Sequence, residues 1–373
     1  MQKTKIAILL CLFLGQTLVA LAGGPEQEFS KTINREFGTS AEGTTALYNK
    51  YGTVNVKTWA NNSVKIDVTI VVTAKSQREA DETFKNINVN FTNAWGYVKA
   101  ETMLSENLSN GGSWWPTKTC GDDFKINYEV WMPANNQLDL KNKYGNSWVA
   151  ALKGKLIAEI KYGELRAEAI SNDADLNLGY GKAWLARVNN LSGQASYSEL
   201  TVAEANDIQL DTKYSETTVD KANNLRITSK YDDFKLGNVE ELRLQTKYAN
   251  LRSTSLRSAY ITAQYSDMNL SAVRDAVDAD MCYGTLDIDA LGRNFTNVNV
   301  VGKYTGVTVV VERGAAYRFD AEVNYADAHV PNAATVKNRS DSGQRESVQG
   351  YLGNEGAKGL MKMRLTYGDL VIK

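Results

Sequence analysis

Histidine, cysteine and proline are scarce in this chain of 373 residues, and each scarcity excludes a class of site. The one histidine, His329, leaves no second imidazole for a His-rich zinc site, and no nucleophile motif accompanies it, so we expect a surface residue. The sequence contains no H-E-x-x-H, C-x-x-C, G-x-S-x-G, G-x-G-x-x-G or P-loop pattern. We therefore expect no cofactor, no metal and no catalytic centre of these classes.

An excess of charge of either sign is also missing, because 42 lysines and arginines stand against 43 acidic residues. Residues 1–22 contain Lys3 and Lys5 and no acid, so their removal leaves a net charge of −3. No basic stripe stands out along the chain. We therefore expect neither a nucleic acid nor an anionic membrane surface as partner.

The N-terminus has the pattern of an export signal. An uncharged run at residues 6–22 follows the two lysines and ends in Ala20-Leu21-Ala22, whose small residues suit a signal peptidase. The run is short for the ~20 residues that a spanning helix needs, although a retained anchor is the alternative. We interpret residues 1–22 as a signal peptide that sends the chain to the periplasm or to the cell surface. No later segment could span a bilayer as a helix.

Export would leave two cysteines, Cys120 and Cys282. In an oxidising compartment they could form a disulfide, or they could remain two separate thiols. A single pair 162 positions apart gives no spacing signal, so we favour separate thiols.

The strongest positive feature is a tyrosine that returns every 17 or 18 residues. The series comprises Tyr144, Tyr162, Tyr180, Tyr197, Tyr214, Tyr231, Tyr248, Tyr265 and Tyr283, and continues at Tyr304 and Tyr325 with steps of 21. A fixed period of this kind indicates a solenoid, in which each turn buries its apolar side against the next turn. No proline lies between Tyr144 and Tyr325, as continuous parallel ladders require.

Within each turn, the apolar residues fall at fixed offsets from the tyrosine. In the turn from Tyr214 the offsets +3, +5, +8, +11 and +13 carry Thr217, Val219, Ala222, Leu225 and Ile227. The spacing of two within +3/+5 and +11/+13 predicts short strands with one buried face, separated by a bend near +8. The chain is therefore predicted to be all-β, a single-stranded right-handed β-helix (β-solenoid) with coils of 17–18 residues.

The same alternation, continued, places offset +15 and the next tyrosine on the buried face. We therefore expect an inward tyrosine ladder at one corner of the coil. The residue before the tyrosine should point outward, and it is often lysine: Lys143, Lys161, Lys213, Lys230, Lys247 and Lys303. These lysines are predicted to belong to the scaffold, with a ligand-binding row of lysines as the alternative.

Both ends depart from the strict repeat. Residues 23–140 are predicted to form a β-rich capping region, with one helix that begins after Ser76 in a capping-box pattern with Glu79. The solenoid repeats are assigned to residues 141–330. Residues 331–373 are predicted to contain a mobile polar loop at residues 332–349, followed by closing strands.

Three sets of residues are candidates for function. Trp114 and Trp115 are adjacent in a Gly/Ser-rich loop, where they could contact a sugar or a protein partner, or fold back over the cap. Asp173, Asp175 and Asn177 alternate with apolar residues, which predicts a solvated strand face rather than a calcium site. A second acidic cluster, Asp275, Asp278 and Asp280, is the best candidate for acid–base catalysis, although nothing in the sequence places a pair across a substrate.

Several motifs together resemble a known family. They are Lys50-Tyr51-Gly52-Thr53-Val54, the helix from Ser76, the Ser/Trp-rich loop, Tyr128 to Pro133, Lys143 to Asn146 and Tyr367-Gly368-Asp369-Leu370. With the N-terminal signal, the combination resembles the bacterial putative-adhesin domain family of unknown function, over nearly the whole mature chain. The resemblance implies an exported envelope protein built as a β-helix. Its motifs are structural, so no site residues are implied.

The sequence favours a non-enzymatic, exported β-solenoid that presents an extended surface to a glycan or an envelope protein. One rival hypothesis is a carbohydrate-active enzyme that uses the outward acidic residues. The other is a structural or regulatory envelope protein without a ligand of its own.

Overall fold

The computed structural model describes residues 25–105 and 123–373. It confirms the predicted all-β solenoid: within these residues 74% lie in strands, there is one short helix, and the coil makes about 10 turns of about 18 residues each. The helix α1 spans Gln77–Lys85 and begins at the predicted cap, where the Ser76 hydroxyl accepts a hydrogen bond from the Glu79 N–H. Its buried residues, Ala80 and Phe84, pack on the cap.

The strands have the following bounds in chain order: β1 Gln27–Gly38, β2 Thr44–Lys50, β3 Val54–Trp59, β4 Ser63–Ala74, β5 Ile87–Ala94, β6 Tyr97–Leu104, β7 Phe124–Pro133, β8 Gln137–Lys143, β9 Ser147–Val149, β10 Leu156–Lys161, β11 Glu164–Gly179, β12 Lys182–Ser196, β13 Glu199–Lys213, β14 Glu216–Lys230, β15 Asp233–Lys247, β16 Asn250–Leu270, β17 Val273–Leu291, β18 Asn297–Val311, β19 Tyr317–Asn324, β20 Ala328–His329, β21 Thr335–Asp341, β22 Arg345–Leu352, β23 Gly359–Thr366 and β24 Leu370–Ile372.

Neighbouring coils pair in parallel, with equivalent offsets in register. Leu210 pairs with Ile227, Ile227 with Leu244, and Leu244 with Ile261, so one apolar column runs through four coils. All four side chains are buried. The predicted buried offsets are therefore confirmed, and the core is a continuous stack of such columns inside the coil.

The tyrosines stand at a corner, but the prediction that they point inward is wrong. Thirteen tyrosines, including Tyr51 and Tyr367, have left-handed backbone with φ between 51° and 62°. Twelve of them are 38–54% exposed. The left-handed turn breaks the alternation of the strand, so the residue after the tyrosine takes the inward place and the ring projects outward.

The exposed rings form one continuous ladder. From Tyr51 to Tyr325, consecutive rings along the solenoid stack with centroids 4.7–5.1 Å apart. Left-handed backbone is unfavourable for a bulky residue, costing about 1–3 kcal/mol at each site. Each stacking contact returns about 0.5–1.5 kcal/mol, so the ladder stabilises a corner that an isolated coil would not hold.

The inward residue after each tyrosine is small or hydrogen-bonds to the coil before it. The Ser198 hydroxyl accepts a hydrogen bond from the Gly181 N–H at 3.2 Å, and the Ser215 hydroxyl accepts one from the Ser198 N–H at 3.2 Å. Gly145 illustrates the lack of space, since a Cβ there would lie 1.8 Å from the Gly52 carbonyl oxygen. This column explains why Gly and Ser follow so many of the tyrosines.

One member of this inward column is a carboxylate. Asp232 is 3% exposed and accepts hydrogen bonds from the Ser215 N–H at 2.6 Å, the Thr212 hydroxyl at 2.7 Å and the Lys230 N–H at 3.2 Å. Burial raises the pKa of Asp232, and these hydrogen bonds offset that rise only in part. The ionised form of Asp232 is therefore disfavoured in the folded chain.

We expect Asp232→Ser to raise the melting temperature at neutral pH. A carboxyl whose pKa is raised by folding contributes most stability below its unfolded pKa of ~3.9, and that contribution is lost as the pH rises through the folded pKa. The gain from the substitution should therefore shrink as the pH is lowered toward ~4. The matched control is Asp233→Ser, which removes the adjacent, exposed carboxylate. Thermal melts that show the larger gain at low pH would contradict this assignment.

At the N-terminal end, the first coil is separated from the second in sequence by the cap. β2 pairs with β8, and β3 pairs with β9, so that residues 44–59 stack directly on residues 137–149. One face of the solenoid is then extended by β7, β4 and β1, and the other by β6 and β5. The repeat-like stretch around Tyr51 is thus a true coil.

At the C-terminal end, the order of coils in space differs from their order in the chain. β23 lies between β18 and β19 and pairs in parallel with both. β24 likewise lies between β18 and β20. Tyr367 accordingly stacks between Tyr304 and Tyr325. The predicted closing strands are therefore confirmed, but they form the penultimate coil rather than the last.

The prediction of a mobile loop at residues 332–349 is wrong. β21 and β22 form an antiparallel hairpin, and β22 pairs antiparallel with β19. Every residue of β21 is exposed, including its one apolar residue Val336, so the strand buries no side chain and its composition resembles that of a loop. Its Lys337, Arg339 and Asp341 place charges along this end of the solenoid, which discourages pairing with another strand.

Candidate functional site

Each coil presents an outward residue four positions after its tyrosine. On β9, β11 and β12 these residues are Trp148, Arg166 and Trp184, which are register partners across neighbouring strands. Trp148 is 39% exposed and Trp184 is 42% exposed, which is high for tryptophan. Because one strand separates them, the two indoles stand about 10 Å apart along the solenoid.

Polar residues surround the two indoles. Asn55 is the register partner of Trp148 on the next strand, and Lys57 and Glu168 line the same groove, whose volume is about 600 Å³. A volume in this range, with aromatic walls and a few polar groups, is typical of a ligand site.

The charges in and around the groove are largely balanced. The Lys57 ammonium lies 3.0 Å from a Glu129 carboxylate oxygen and 5.0 Å from the centroid of the Trp131 ring. The Arg166 Nε lies 2.5 Å from a carboxylate oxygen of Glu164. With each cation matched by a carboxylate, the groove favours a neutral, hydroxyl-rich ligand over a strongly charged one.

The sequence analysis missed Trp148 and Trp184. The signal was present in the coil offsets, because the same outward position holds Thr201, Thr218 and Lys235 in later coils. A large apolar residue in a position that otherwise holds polar residues is the departure that would have identified them.

The sequence-predicted tryptophans Trp114 and Trp115 lie outside the described residues, as does Cys120. Cys282 is a free, partly buried thiol. His329 is exposed on β20, as predicted.

The first acidic set lies on an outward strand face, as predicted. Asp173 accepts a hydrogen bond from the Asn190 amide at 2.8 Å, and Asp175 pairs with the Lys155 ammonium at 2.5 Å. Burial acts to raise the pKa of Asp175, but its hydrogen bonds from Lys155 and Ser192 outweigh burial and lower the pKa. These carboxylates are engaged by neighbouring coils and stabilise the stack.

The second acidic set does not converge on one point. Asp275 lies near two arginines, at 3.5 Å from Arg274 and 3.9 Å from Arg257. Asp278 accepts a hydrogen bond from the Asn299 amide at 2.9 Å and lines a shallow groove of about 410 Å³ with Asp280. Within residues 25–105 and 123–373, no group of three His, Cys, Asp or Glu side chains is placed to hold a metal ion.

Comparison with known proteins gives a few solved structures and no sequence match. No protein-family model matches the chain, and no curated protein sequence matches it. A putative cell adhesion protein from Clostridium sporogenes is 8% identical, with a TM-score of 0.22, over 92% of this chain and 99% of that one. A putative adhesin from Parabacteroides distasonis is 10% identical, with a TM-score of 0.25, over 76% of this chain and 94% of that one.

A putative lipid binding protein from Parabacteroides distasonis is also 10% identical, with a TM-score of 0.26, over 75% of this chain and 94% of that one. No helix in the part of the chain that the structure describes is long and apolar enough to cross a membrane. The structural neighbours of this β-solenoid are thus putative adhesin, cell adhesion and lipid binding proteins from Clostridium and Parabacteroides, and at these TM-scores the likeness assigns no function.

Proposed function

We propose that this chain is an exported, non-enzymatic β-solenoid that binds a glycan at the cell envelope through its outer surface. The observation that carries the proposal is the pair of exposed indoles, Trp148 and Trp184, in a groove with polar walls. Aromatic rings offer flat apolar faces that pack against the carbon–hydrogen faces of a sugar, and the indole N–H can donate a hydrogen bond to a hydroxyl.

The spacing of the indoles favours an extended glycan lying along the solenoid. The two rings are about 10 Å apart, with the planar Arg166 side chain between them. In an extended chain of sugars, alternate residues could therefore pack on the two rings while Arg166 donates hydrogen bonds to the residue between them. The polar groups of Asn55 and Glu168 are available at the groove walls.

The non-enzymatic part of the proposal is supported by the state of the outward carboxylates. Asp175 is paired with Lys155, and Asp275 lies between two arginines, so these groups serve contacts between coils. Hydrolysis of a glycan needs a pair of carboxyl groups on opposite sides of the scissile bond. Export is proposed from the signal peptide at residues 1–22, with the periplasm and the cell surface as destinations.

Glycan binding by single-site variants tests the proposal. We expect Trp148→Ala and Trp184→Ala each to weaken binding of the best glycan on an array about fivefold or more, because a central aromatic contact contributes over 1 kcal/mol. Trp95→Ala is the matched control, because Trp95 is 96% exposed in the β5–β6 turn and outside the groove. Equal loss in all three variants, or no loss when Trp148→Ala and Trp184→Ala are combined, would exclude the groove.

Trp114 and Trp115 remain a second proposed contact and form a separate arm of the experiment. If binding is lost in the Trp114→Ala, Trp115→Ala double variant and kept in the Trp148→Ala and Trp184→Ala variants, the binding site would be assigned to the loop that contains Trp114 and Trp115. Release of reducing ends or unsaturated sugars from a polysaccharide panel would favour the enzyme instead. If the protein neither binds a glycan on the array nor releases sugars from the polysaccharides, a structural role would be favoured.

A further inference from the structure

The tyrosine ladder separates two files of opposite charge. The residue just before each tyrosine lies on one side of the ladder and is lysine for seven of the thirteen tyrosines: Lys50, Lys143, Lys161, Lys213, Lys230, Lys247 and Lys303. The residue two positions after each tyrosine lies on the other side and is acidic in seven of thirteen: Glu164, Glu199, Glu216, Asp233, Asp267, Asp327 and Asp369. We call these the lysine file and the acidic file.

Four of the seven lysines in the lysine file lean toward the ladder, whereas Lys161 pairs with Glu159. The ammonium groups of Lys143, Lys213, Lys230 and Lys303 lie 4.8, 5.4, 5.0 and 5.6 Å from the centroids of the tyrosine rings that follow them. Positive charge is therefore held close to the edge of the solenoid rather than spread into solvent. An approaching surface meets aromatic edges with cations on one side and carboxylates on the other, although Glu164, Glu199 and Glu216 also pair with Arg166, Lys182 and Lys235 of the same chain.

The ladder is a long, uncovered aromatic strip. Its rings stack face to face, so only their edges and hydroxyls face outward, and a flat ligand has no ring face to cover along its length. Twelve steps of about 4.8 Å give a strip about 58 Å long, and the distance between two packed sheets makes it about 10 Å wide. Exposed aromatic patches of several hundred Å² are typical of protein interaction sites.

Two-fold symmetry makes a second copy of this chain a complementary partner for the ladder and its two files. A two-fold axis parallel to the solenoid places a second ladder against the first and brings the lysine file of each copy opposite the acidic file of the other. At matching heights, Lys161 meets Glu164, Lys213 meets Glu216, and Lys230 meets Asp233. A two-fold axis across the ladder would instead place lysine against lysine, which costs free energy.

We propose that a second copy of this chain docks in parallel along the tyrosine ladder. The contact strip covers about 600 Å² on each partner, or about 1,200 Å² in total, at the lower limit of stable protein interfaces. The dimer is therefore reversible and weakened by salt. Association end to end is disfavoured by the charged strand β21. The inference does not require the proposed glycan groove, which lies on the flat face beside the ladder, although Glu164 of the acidic file also pairs with Arg166 of the groove.

Reversing the charges of one file at a time tests the inference, with dimerisation measured by sedimentation equilibrium at low salt. The wild-type protein is expected to dimerise with rising concentration. Lys161→Glu, Lys213→Glu, Lys230→Glu in one triple variant, and Glu164→Lys, Glu216→Lys, Asp233→Lys in another, should each dimerise at least tenfold more weakly. Mixed one to one, the two variants should form a heterodimer at least as tight as the wild-type dimer.

The control changes three arginines outside both files, Arg226→Glu, Arg243→Glu and Arg252→Glu, and should leave dimerisation within about threefold of wild type. Because misfolding of either triple variant would also prevent the heterodimer, rescue on mixing separates interface loss from unfolding. A protein that stays monomeric at millimolar concentration in low salt overturns the inference. So does a wild-type dimer that both triple variants still form.

Discussion

Replacing Leu244 with aspartate is expected to lower the free energy of unfolding by about 4 kcal/mol or more. Leu244 is 3% exposed and is the register partner of Ile227 and Ile261 in the adjacent coils. The substitution removes a packed apolar side chain and places a carboxylate where no cation or water can reach it. Urea titration followed by circular dichroism measures the loss.

The neighbouring residue provides the matched control. Gln245 points outward and is exposed, so Gln245→Asp adds the same charge to the same strand and should change stability by about 0.5 kcal/mol or less. Equal denaturation midpoints for the two variants would mean that the strand register is wrong. Because coils stabilise one another mainly through nearest neighbours, the Leu244→Asp protein should lose protection first in β14, β15 and β16.

Deletion of residues 359–373 is expected to have a still larger effect, confined to the C-terminal coils. The segment carries five apolar residues that are at most 2% exposed: Met361, Met363, Leu365, Leu370 and Ile372. At about 1.5–3 kcal/mol for each buried side chain, their removal costs on the order of 10 kcal/mol. It also removes β23, the strand through which β18 and β19 are joined, and it interrupts the ladder at Tyr367.

Hydrogen exchange measured by mass spectrometry locates this loss. We expect residues 317–352 to exchange rapidly in the truncated protein, whereas coils as far as Tyr265 keep their protection because their own neighbours are intact. A synthetic peptide of residues 359–373 should restore protection when added in excess, and the same peptide with Met363→Asp should not. Unchanged protection of β19 in the truncated protein would contradict the strand order.

The coil was predictable because its period, strand alternation and proline-free stretch all follow from stacking. The direction of the tyrosines was not, since alternation alone assigns the inward place to offset +17. The left-handed turn at each tyrosine gives the inward position to the residue after the tyrosine instead. The only sign of this in the sequence is that the residues after the tyrosines are small, such as Gly163 and Ser198. Helix α1 was predictable from local signals alone, the Ser76 cap and Glu79.

The hairpin β21–β22 and the position of β23 could not be predicted from the sequence, for different reasons. A strand that is exposed along its whole length, as β21 is, needs no apolar alternation, so its sequence carries no strand signal. The insertion of β23 between β18 and β19 depends on which strand edges remain open after the other coils have stacked. The groove with Trp148 and Trp184 was within reach, because the coil offsets already separated outward from inward positions.

The strand order has a kinetic consequence for a chain that is made from its N-terminus onward. The parallel neighbour of β19 is β23, 35 or more residues later, so β19 cannot dock next to β18 before residues 359–366 have been synthesised. Completion of the C-terminal coils therefore depends on the synthesis of residues 359–373. Until this segment is available, the parallel edges of β18 and β19 stay unpaired at that end of the solenoid.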